Sequence, residues 1–471
     1  MASDIFVLHW ISLHTLVTAL ALGIYFIASH ALRQRRHPSA ALAWCMSLAL
    51  IPYIALPLYL LIGNRKLVRG HASPCLLRSV VAGTVENTSL SRFQNLASTL
   101  SLPPASTYDR FTLHEDGSQA RRALLAMVDG AQQSLDLCTF ILASDALGKE
   151  LIEHLVQSAA RGVQIRLMID GVGIYLGGHP NLRPLVAAGV RVVHFISIFK
   201  SARPGRTNLR NHRKMVLADG DHVWLGGRNF AAEYFEGDPA HRFKKTGWID
   251  LSFELHGPIA LQAQHQFNKD WAFATHEAAM PVGPRLPTND SKPSAGAQLL
   301  PSGPDQSEDT VYTLLISSCF SAQSRILAVS PYFVPDATLQ MALTLAARRG
   351  VTVDIVMPRK SNHRLADMAR STALRELAAA GARVWLLPDM IHAKAIVIDD
   401  DIALAGSANL DERSLFLNYE MMVAFYNPPD VRQLADWINR QRKNALLYEA
   451  RPPGVIREVG EGLVRWMAFQ L

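Results

Sequence analysis

The chain has 471 residues, 49% of them hydrophobic, and carries 47 Lys+Arg against 40 Asp+Glu, a formal charge of +7. That length exceeds one ordinary core and suits two domains with appendages. Cys45, Cys75, Cys138 and Cys319 stand singly, with no CxxC pair or His/Cys cluster, which argues against a disulfide framework or a cysteine zinc site. The positive charge suits acidic phospholipid or nucleic acid partners.

At the N-terminus, Ile5 to Leu32 and His37 to Asn64 contain no Asp, Glu, Lys or Arg, and each run is long enough to span a hydrocarbon core of ~30 Å. Between them lies the basic turn Arg33-Gln34-Arg35-Arg36. Residues 1–64 are therefore expected to form a transmembrane helical hairpin. A cleaved signal peptide fits less well, because Met1-Ala2-Ser3-Asp4 has no basic residue and the apolar run is too long. His9, His14 and His30 read as packing residues, and Pro52 and Pro57 as kinks. Orientation is ambiguous: Arg33, Arg35 and Arg36 claim one side as cytoplasmic, and Arg65, Lys66 and Arg69 claim the other. The single acidic residue before the first span tips the rule slightly towards a cytoplasmic turn.

Residues 65–107 read as a polar juxtamembrane linker, and 108–280 as a first globular domain. Within it Ser134 to Asp170 gives strand, helix, glycine stop and strand. The same phrase returns from Arg325 to Val356, with Gly350 placed 188 residues after Gly162. A Pro/Gly/Ser/Asn-rich stretch, 281–303, reads as a linker, and 304–471 as a second domain. Strands alternating with helices predict α/β sandwiches with mainly parallel strands. The duplication predicts a pseudo-twofold pair whose motifs meet at the interface.

The motif His-x-Lys-x4-Asp-x6-Gly-(Gly/Ser)-x-Asn occurs as His212, Lys214, Asp219, Gly226, Gly227 and Asn229, and again 180 residues later as His392, Lys394, Asp399, Gly406, Ser407 and Asn409. Alternation along a strand puts each histidine and lysine on one face. Two lysines and two asparagines could hold the nonbridging oxygens of a phosphodiester, with Ser407 adding a hydroxyl and Gly227 letting the backbone approach. One histidine can attack phosphorus while the other handles the alcohol proton. This chemistry requires no metal or cofactor. Each imidazole needs a carboxylate on its other nitrogen; Asp250 is nominated for His212 and Glu420 for His392. Asp219 and Asp399, at the motif strand ends, are expected to play structural parts.

The paired motifs resemble the phospholipase D superfamily. Taken with the apolar N-terminus, Arg35-Arg36-His37-Pro38, Ala43-Trp44, Gly247-Trp248-Ile249-Asp250, Gly257-Pro258, Ser330-Pro331-Tyr332-Phe333-Val334-Pro335-Asp336 and Gly406 to Ser414, they resemble bacterial cardiolipin synthases in particular. That resemblance implies an α/β protein of two pseudo-twofold phospholipase D-like α/β/α sandwich halves behind a membrane hairpin. It also implies a multi-pass protein of the cell inner membrane with its catalytic domain at the cytoplasmic face. The implied reaction moves a phosphatidyl group from one phosphatidylglycerol to His212, releasing glycerol, and then to a second, with His392 as acid and base. Gly227 departs from the family pattern, where a serine is common, and Arg228 follows it.

Hydrolysis, or transfer from another donor such as phosphatidylethanolamine, would use the same residues. A nuclease is disfavoured by the hairpin and by the lack of a basic, aromatic-interleaved run, so phospholipid and not nucleic acid is the expected partner. Two intact motifs argue against a noncatalytic scaffold. A synthase must exclude water. Val192 to Lys200 followed by Arg203, Arg206 and Arg210 reads either as a lipid-facing lip with a basic collar or as a core strand and a solvated loop. Leu463 to Phe469 reads as a terminal packing helix.

Overall fold

The computed structural model describes residues 2–31, 38–63, 88–197, 207–237, 246–280, 296–454 and 461. Among them the first half supplies β1 (Arg110–His114), β2 (Ser134–Thr139), β3 (Gln164–Asp170), β4 (Arg191–Phe195), β5 (Met215–Ala218), β6 (His222–Gly226) and β7 (Ser252–His256). The second supplies β8 (Ala297–Ser302), β9 (Arg325–Val329), β10 (Phe333–Val334), β11 (Thr352–Pro358), β12 (Arg383–Leu387), β13 (Ala395–Ile398), β14 (Ile402–Gly406), β15 (Leu410–Asp411), β16 (Glu420–Phe425) and β17 (Leu446–Leu447).

Local signals set the crossovers. Asp145 caps helix Ala146–Ala160 by accepting from Gly148 N, and Asp336 caps helix Ala337–Arg348 by accepting from Thr338 N and Leu339 N. Gly162 and Gly350 then turn into the next strand with φ of +93° and +90°, which glycine adopts at no steric cost.

The first sheet runs β1-β7-β6-β5-β2-β3-β4, and the second runs β17-β12-β11-β9-β13-β14-β16-β8. Read in reverse, the first order matches the second strand for strand, with β17 added at one edge. Within these two sheets only β2-β3-β4 and β9-β11-β12 are parallel; β5, β6, β7 and β1 pair antiparallel, as do their counterparts. The expectation of mainly parallel strands is corrected on this point. β5 to β6 and β13 to β14 are joined by three-residue turns, which permit only antiparallel neighbours.

Strand alternation gives each sheet two apolar faces. Met215, Leu217, Val223, Leu225, Phe253 and Leu255 share one core with Leu327, Val329, Ala395, Val397, Val423 and Phe425 of the other half. Helices Ile259–Thr275 and Pro428–Lys443 add Phe267, Trp271, Leu434 and Trp437 to it. The opposite faces carry separate cores, one in each half. Burying each such side chain contributes about 1.5–3 kcal/mol, so the shared core welds the halves into one body.

Near the N-terminus, helix Ala2–Ala31 is followed by Pro38–Leu50 and Pro52–Ile62. The second apolar run is thus two helices rather than one, because Pro52 cannot continue the hydrogen-bond ladder through Ile51. Tyr25, Trp44 and Tyr59 pack edge to face across the three. Among the described residues no helix is long and apolar enough to cross a membrane. The described side chains of the first helix, 13–29, rise about 25 Å. Arg33, Arg35, Arg36, Arg65, Lys66 and Arg69 lie outside the described residues, as do Lys200, Arg203, Arg206 and Leu463 to Phe469.

Both linkers are shorter than expected. Within 65–107, helix Ser89–Thr99 buries Phe93 and Ala97 in the core of the second half, while 64–87 lies outside the described residues. Within 281–303, residues 297–302 form β8, the edge partner of β16; Pro301 and the flanking glycines disguised it, and an edge position tolerates that proline. The strand from Val192 is β4, with Phe195 buried in the shared core. Arg210 is likewise buried beside Asp170 and forms no collar.

Arg213, between the motif histidine and lysine, is completely buried and pins the halves together. Its guanidinium pairs with Asp270 and with Asp305, 3.1 Å away, and donates to the carbonyls of Glu420 and Ser302 at 3.0 and 3.2 Å. Arg213→Met takes the guanidinium away from those carbonyls and leaves Asp270 and Asp305 without their cation. It is expected to cost about 3–5 kcal/mol, read from the denaturation midpoint in detergent; an unchanged midpoint would show that the clamp carries no stability.

Candidate active site

Each motif histidine sits on an extended segment leading into its strand, not within the strand, because that segment pairs with the other half. His212 N donates to Tyr419 O at 2.9 Å and Tyr419 N to Arg210 O at 2.9 Å. Symmetrically, His392 N donates to Ile249 O at 2.7 Å and Ile249 N to Met390 O at 2.9 Å. Tyr419 and Ile249 immediately precede Glu420 and Asp250, so each carboxylate is delivered to the opposite half's imidazole. His392 Nδ1 lies 2.8 Å from Asp250 Oδ2 in a hydrogen bond. His212 Nδ1 lies 3.2 Å from Glu420 Oε1, an ion-pair distance without the alignment of a hydrogen bond. Both nominated carboxylates hold a histidine, but the partners are exchanged: Asp250 serves His392 and Glu420 serves His212. Sequence proximity suggested the opposite, since it cannot register a strand pairing between halves.

The lysines are as buried as the carboxylates. Lys214 Nζ donates to His212 O at 2.7 Å, and Lys394 Nζ lies 2.9 and 3.0 Å from the ring nitrogens of His392. Burial, reinforced by the neighbouring lysine, pushes His212 down to about 4 and His392 to about 3, against the pull of their carboxylates. Burial also takes Lys214 to about 8 and Lys394 to about 7. Burial raises Asp250 and Glu420, but their histidines and the lysines outweigh it and hold both below the ordinary carboxylate range. At neutral pH both carboxylates are ionised and both imidazoles neutral, while Lys214 is mainly an ammonium and Lys394 is shared between its charged and neutral forms. A bound phosphodiester adds one negative charge, which one histidine can neutralise by taking a proton.

The Gly227/Ser407 difference follows the carboxylate length. A Cβ on Gly227 would meet Asp250 Oδ1 at 2.3 Å, whereas Ser407 Oγ donates to Glu420 Oε2 at 2.5 Å. The shorter aspartate needs a bare backbone, and the longer glutamate leaves room for a hydroxyl. Arg228 is buried and donates to the carbonyls of Asp250, Tyr234 and His114 at 2.7, 2.9 and 3.1 Å, steadying the segment that carries Asp250.

Asn229 Oδ1 accepts from Ile141 N at 3.3 Å, and Asn409 Nδ2 donates to Ser414 Oγ at 3.1 Å. The structure thus gives both asparagines loop-holding contacts beside the histidine–lysine pairs. Asp219 and Asp399 stand apart from the chemistry. Each adopts a positive φ, 53° and 52°. Asp219 accepts from the backbone of Gln132, Gln133 and Ser134, and Asp399 from that of Gln323, Ser324 and Arg325, tying each hairpin turn to the neighbouring strand.

Sequence reasoning missed Arg213 and the aromatic walls. Phe140 lies 4.5 Å from the His212 ring; Tyr234, Trp248 and Tyr332 lie 4.9, 5.7 and 6.4 Å from His392. Trp248, two residues from Asp250, and Tyr332, in the Ser330–Asp336 stretch, were the two that stood in recognisable sequence phrases. A groove of about 890 Å³ lined by Asp136, Arg166, Asp219 and Asp221 contains none of the motif histidines or lysines.

Comparison with known proteins places this constellation. A family described as cardiolipin synthase, PLD-like domain, matches residues 124–271 and 315–442, and one described as phospholipase D-nuclease N-terminal matches 21–64. The chain is 32% identical to cardiolipin synthase A of Pseudomonas aeruginosa (strain LESB58), over 85% of this chain and 83% of that one. It is 30% identical to cardiolipin synthase A of Pseudomonas putida (strain GB-1), over 93% and 94%. The crystal structure of phosphatidylserine synthase from Haemophilus influenzae shares the fold, with a TM-score of 0.59 at 14% identity, covering 82% of this chain and all of that one.

The depressed histidines link protonation to folding. Below about pH 6.5 the unfolded chain takes up protons that the folded site refuses, so stability is held above that pH and is lost as pH falls towards 4 and then 3. Each unit of depression is worth about 1.4 kcal/mol, so the pair is expected to withdraw several kcal/mol. A melting-temperature series from pH 7 to 4 should show this slope flattened in His212→Gln and His392→Gln; equal slopes in both variants and the parent would refute it.

Proposed function

We propose that this chain, which belongs to the cardiolipin synthases with phospholipase D-like domains, joins two phosphatidylglycerol molecules into cardiolipin and releases glycerol. The observation that carries this reading is the pair of histidines, each held by the carboxylate of the opposite half, in a buried site whose charge is completed by one phosphodiester.

His212 is the nucleophile. Its side chain is the more exposed of the two, 16% against 5%, and its carboxylate contact is the looser one. Its imidazole nitrogen forms a bond to phosphorus as the bond to the glycerol oxygen breaks. Lys214 and Lys394 supply positive charge for the nonbridging oxygens, with Asn229, Asn409 and Ser407 beside them. His392, whose Nδ1 is fixed by Asp250, passes a proton from its other nitrogen to the departing glycerol. Neutral again, it accepts a proton from the terminal hydroxyl of a second phosphatidylglycerol. That oxygen displaces His212 from phosphorus, and cardiolipin forms. The rings of Phe140, Tyr234, Trp248 and Tyr332 limit water around the intermediate.

The remaining expectations belong with this reading. Residues 1–64 anchor the chain as a hairpin in the cell inner membrane, and their helices pack through Tyr25, Trp44 and Tyr59. The catalytic halves, near 108–280 and 304–471, face the cytoplasm, where phosphatidylglycerol is drawn from the leaflet.

Purified chain in detergent, given headgroup-labelled phosphatidylglycerol, is expected to yield cardiolipin and free glycerol. Phosphatidic acid as the sole lipid product would instead make it a hydrolase. The crossed carboxylates separate the two chemical steps. With a phosphatidyl substrate whose leaving group needs no proton, Asp250→Asn should still load His212, whereas Glu420→Gln should slow loading by about tenfold or more. Loading suppressed in Asp250→Asn as fully as in His212→Ala would overturn the assignment of roles.

A further inference from the structure

Away from the catalytic pair, the outer end of the first sheet gathers imidazoles around one carboxylate. His222 on β6 lies opposite His256 on β7 in the strand register, and their rings stack at 3.8 Å with 20° between planes. Glu254, two residues before His256 and on the same face, brings Oε2 to 2.6 Å from His222 Nε2. His114, from β1 on the other side, brings Nε2 to 2.7 Å from Glu254 Oε1, and its ring stacks on Trp224. The donor atoms of His222, Glu254 and His256 all lie within 4.8 Å of one another.

We propose that His222, Glu254 and His256 form a divalent-metal site of the zinc class, with His114 holding the other oxygen of Glu254 from β1. Two neutral imidazoles and a carboxylate are the donor set that zinc and its borderline neighbours favour. Bonds of about 2.0–2.2 Å around a tetrahedral ion are reached from this cluster when the His222 to Glu254 contact of 2.6 Å opens and the two stacked rings turn so that their in-plane lone pairs converge. Glu254 is ready in its ionised form: burial raises its pKa, but its bonds to His114 and His222 bring it down to about 2. His256 turns a ring nitrogen to the exposed Arg110 at 2.9 Å. That nitrogen accepts from the guanidinium and so carries an outward lone pair, which the ion takes as Arg110 swings into solvent. The hydrogen that His222 Nε2 donates to Glu254 Oε2 moves to Nδ1 as Nε2 takes the ion. His222 and Glu254 keep 20% and 11% of their side chains exposed, giving the ion a way in.

The position gives the site a mechanical meaning. The His222–His256 pair is four residues along the β6–β7 ladder from Gly226–Ser252, roughly 14 Å from the end that carries Gly227 and Asp250. An ion there clamps β6 and β7, and through His114 the edge strand β1, without touching the reacting groups.

The test uses the full chain in detergent, its affinity tag removed and stripped by chelator, titrated with Zn²⁺ against a chromogenic chelator and with Co²⁺ by its visible absorption. One equivalent is expected to bind, with a rise of a few degrees in the melting temperature. Affinity should fall at least tenfold in His222→Ala and in His256→Gln, rise several-fold in Arg110→Ala, and persist in His212→Ala and His392→Ala. His256→Gln, at the more open position, carries the test if His222→Ala does not fold. No saturable binding, binding that survives both His222→Ala and His256→Gln, or binding lost in His392→Ala would each overturn the site.

Discussion

Four backbone hydrogen bonds between the halves, at His212, Tyr419, His392 and Ile249, are the constraint on which the site depends. They splice the entry of each motif strand to the segment carrying the other half's carboxylate. As a result neither half by itself pairs its motif histidine with a carboxylate, and both must fold and dock before either histidine is oriented. The shared apolar core and the buried Arg213 clamp make that docking permanent. A site assembled this way is held to the tolerance that transfer chemistry demands, where small misplacements cost orders of magnitude in rate.

Burial then sets the electrostatics. Removing two lysines, two histidines and two carboxylates from water is tolerable only if their charges offset one another, as the carboxylates and the lysines do with both imidazoles neutral. In the proposed reaction the anionic phosphodiester adds the charge that allows one histidine to be protonated. Burial is also what brings both lysines down towards neutral pH, with Lys214 adding to the effect at Lys394.

The twofold repeat is deliberately imperfect. Asp250 with Gly227 and Glu420 with Ser407 are two ways of filling the same space, and they leave His392 firmly hydrogen-bonded and His212 loosely held. A histidine that shuttles protons gains from a fixed tautomer; one that moves onto phosphorus gains from freedom to advance. The asymmetry thus matches a division of labour between the halves.

The motif spacing by itself determined that the chain is duplicated and that each copy brings a histidine and a lysine together, while Asp250 and Glu420 were nominated from the segments that follow each motif. Strand, helix and glycine signals are local, so the βαβ openings around Gly162 and Gly350 were legible as well. Which carboxylate serves which histidine was decided only by tertiary structure, because hydrogen bonding between segments some 140 to 210 residues apart leaves no trace in local periodicity. The same holds for Arg213, which looks like any surface arginine until Asp270 and Asp305 close on it, and for β8, whose proline and glycines mimic a linker. Asp219 and Asp399 belong to the motif in sequence, yet the fold puts them at hairpin turns: a carboxylate at a positive-φ corner is best used in satisfying the backbone N–H groups of the next strand.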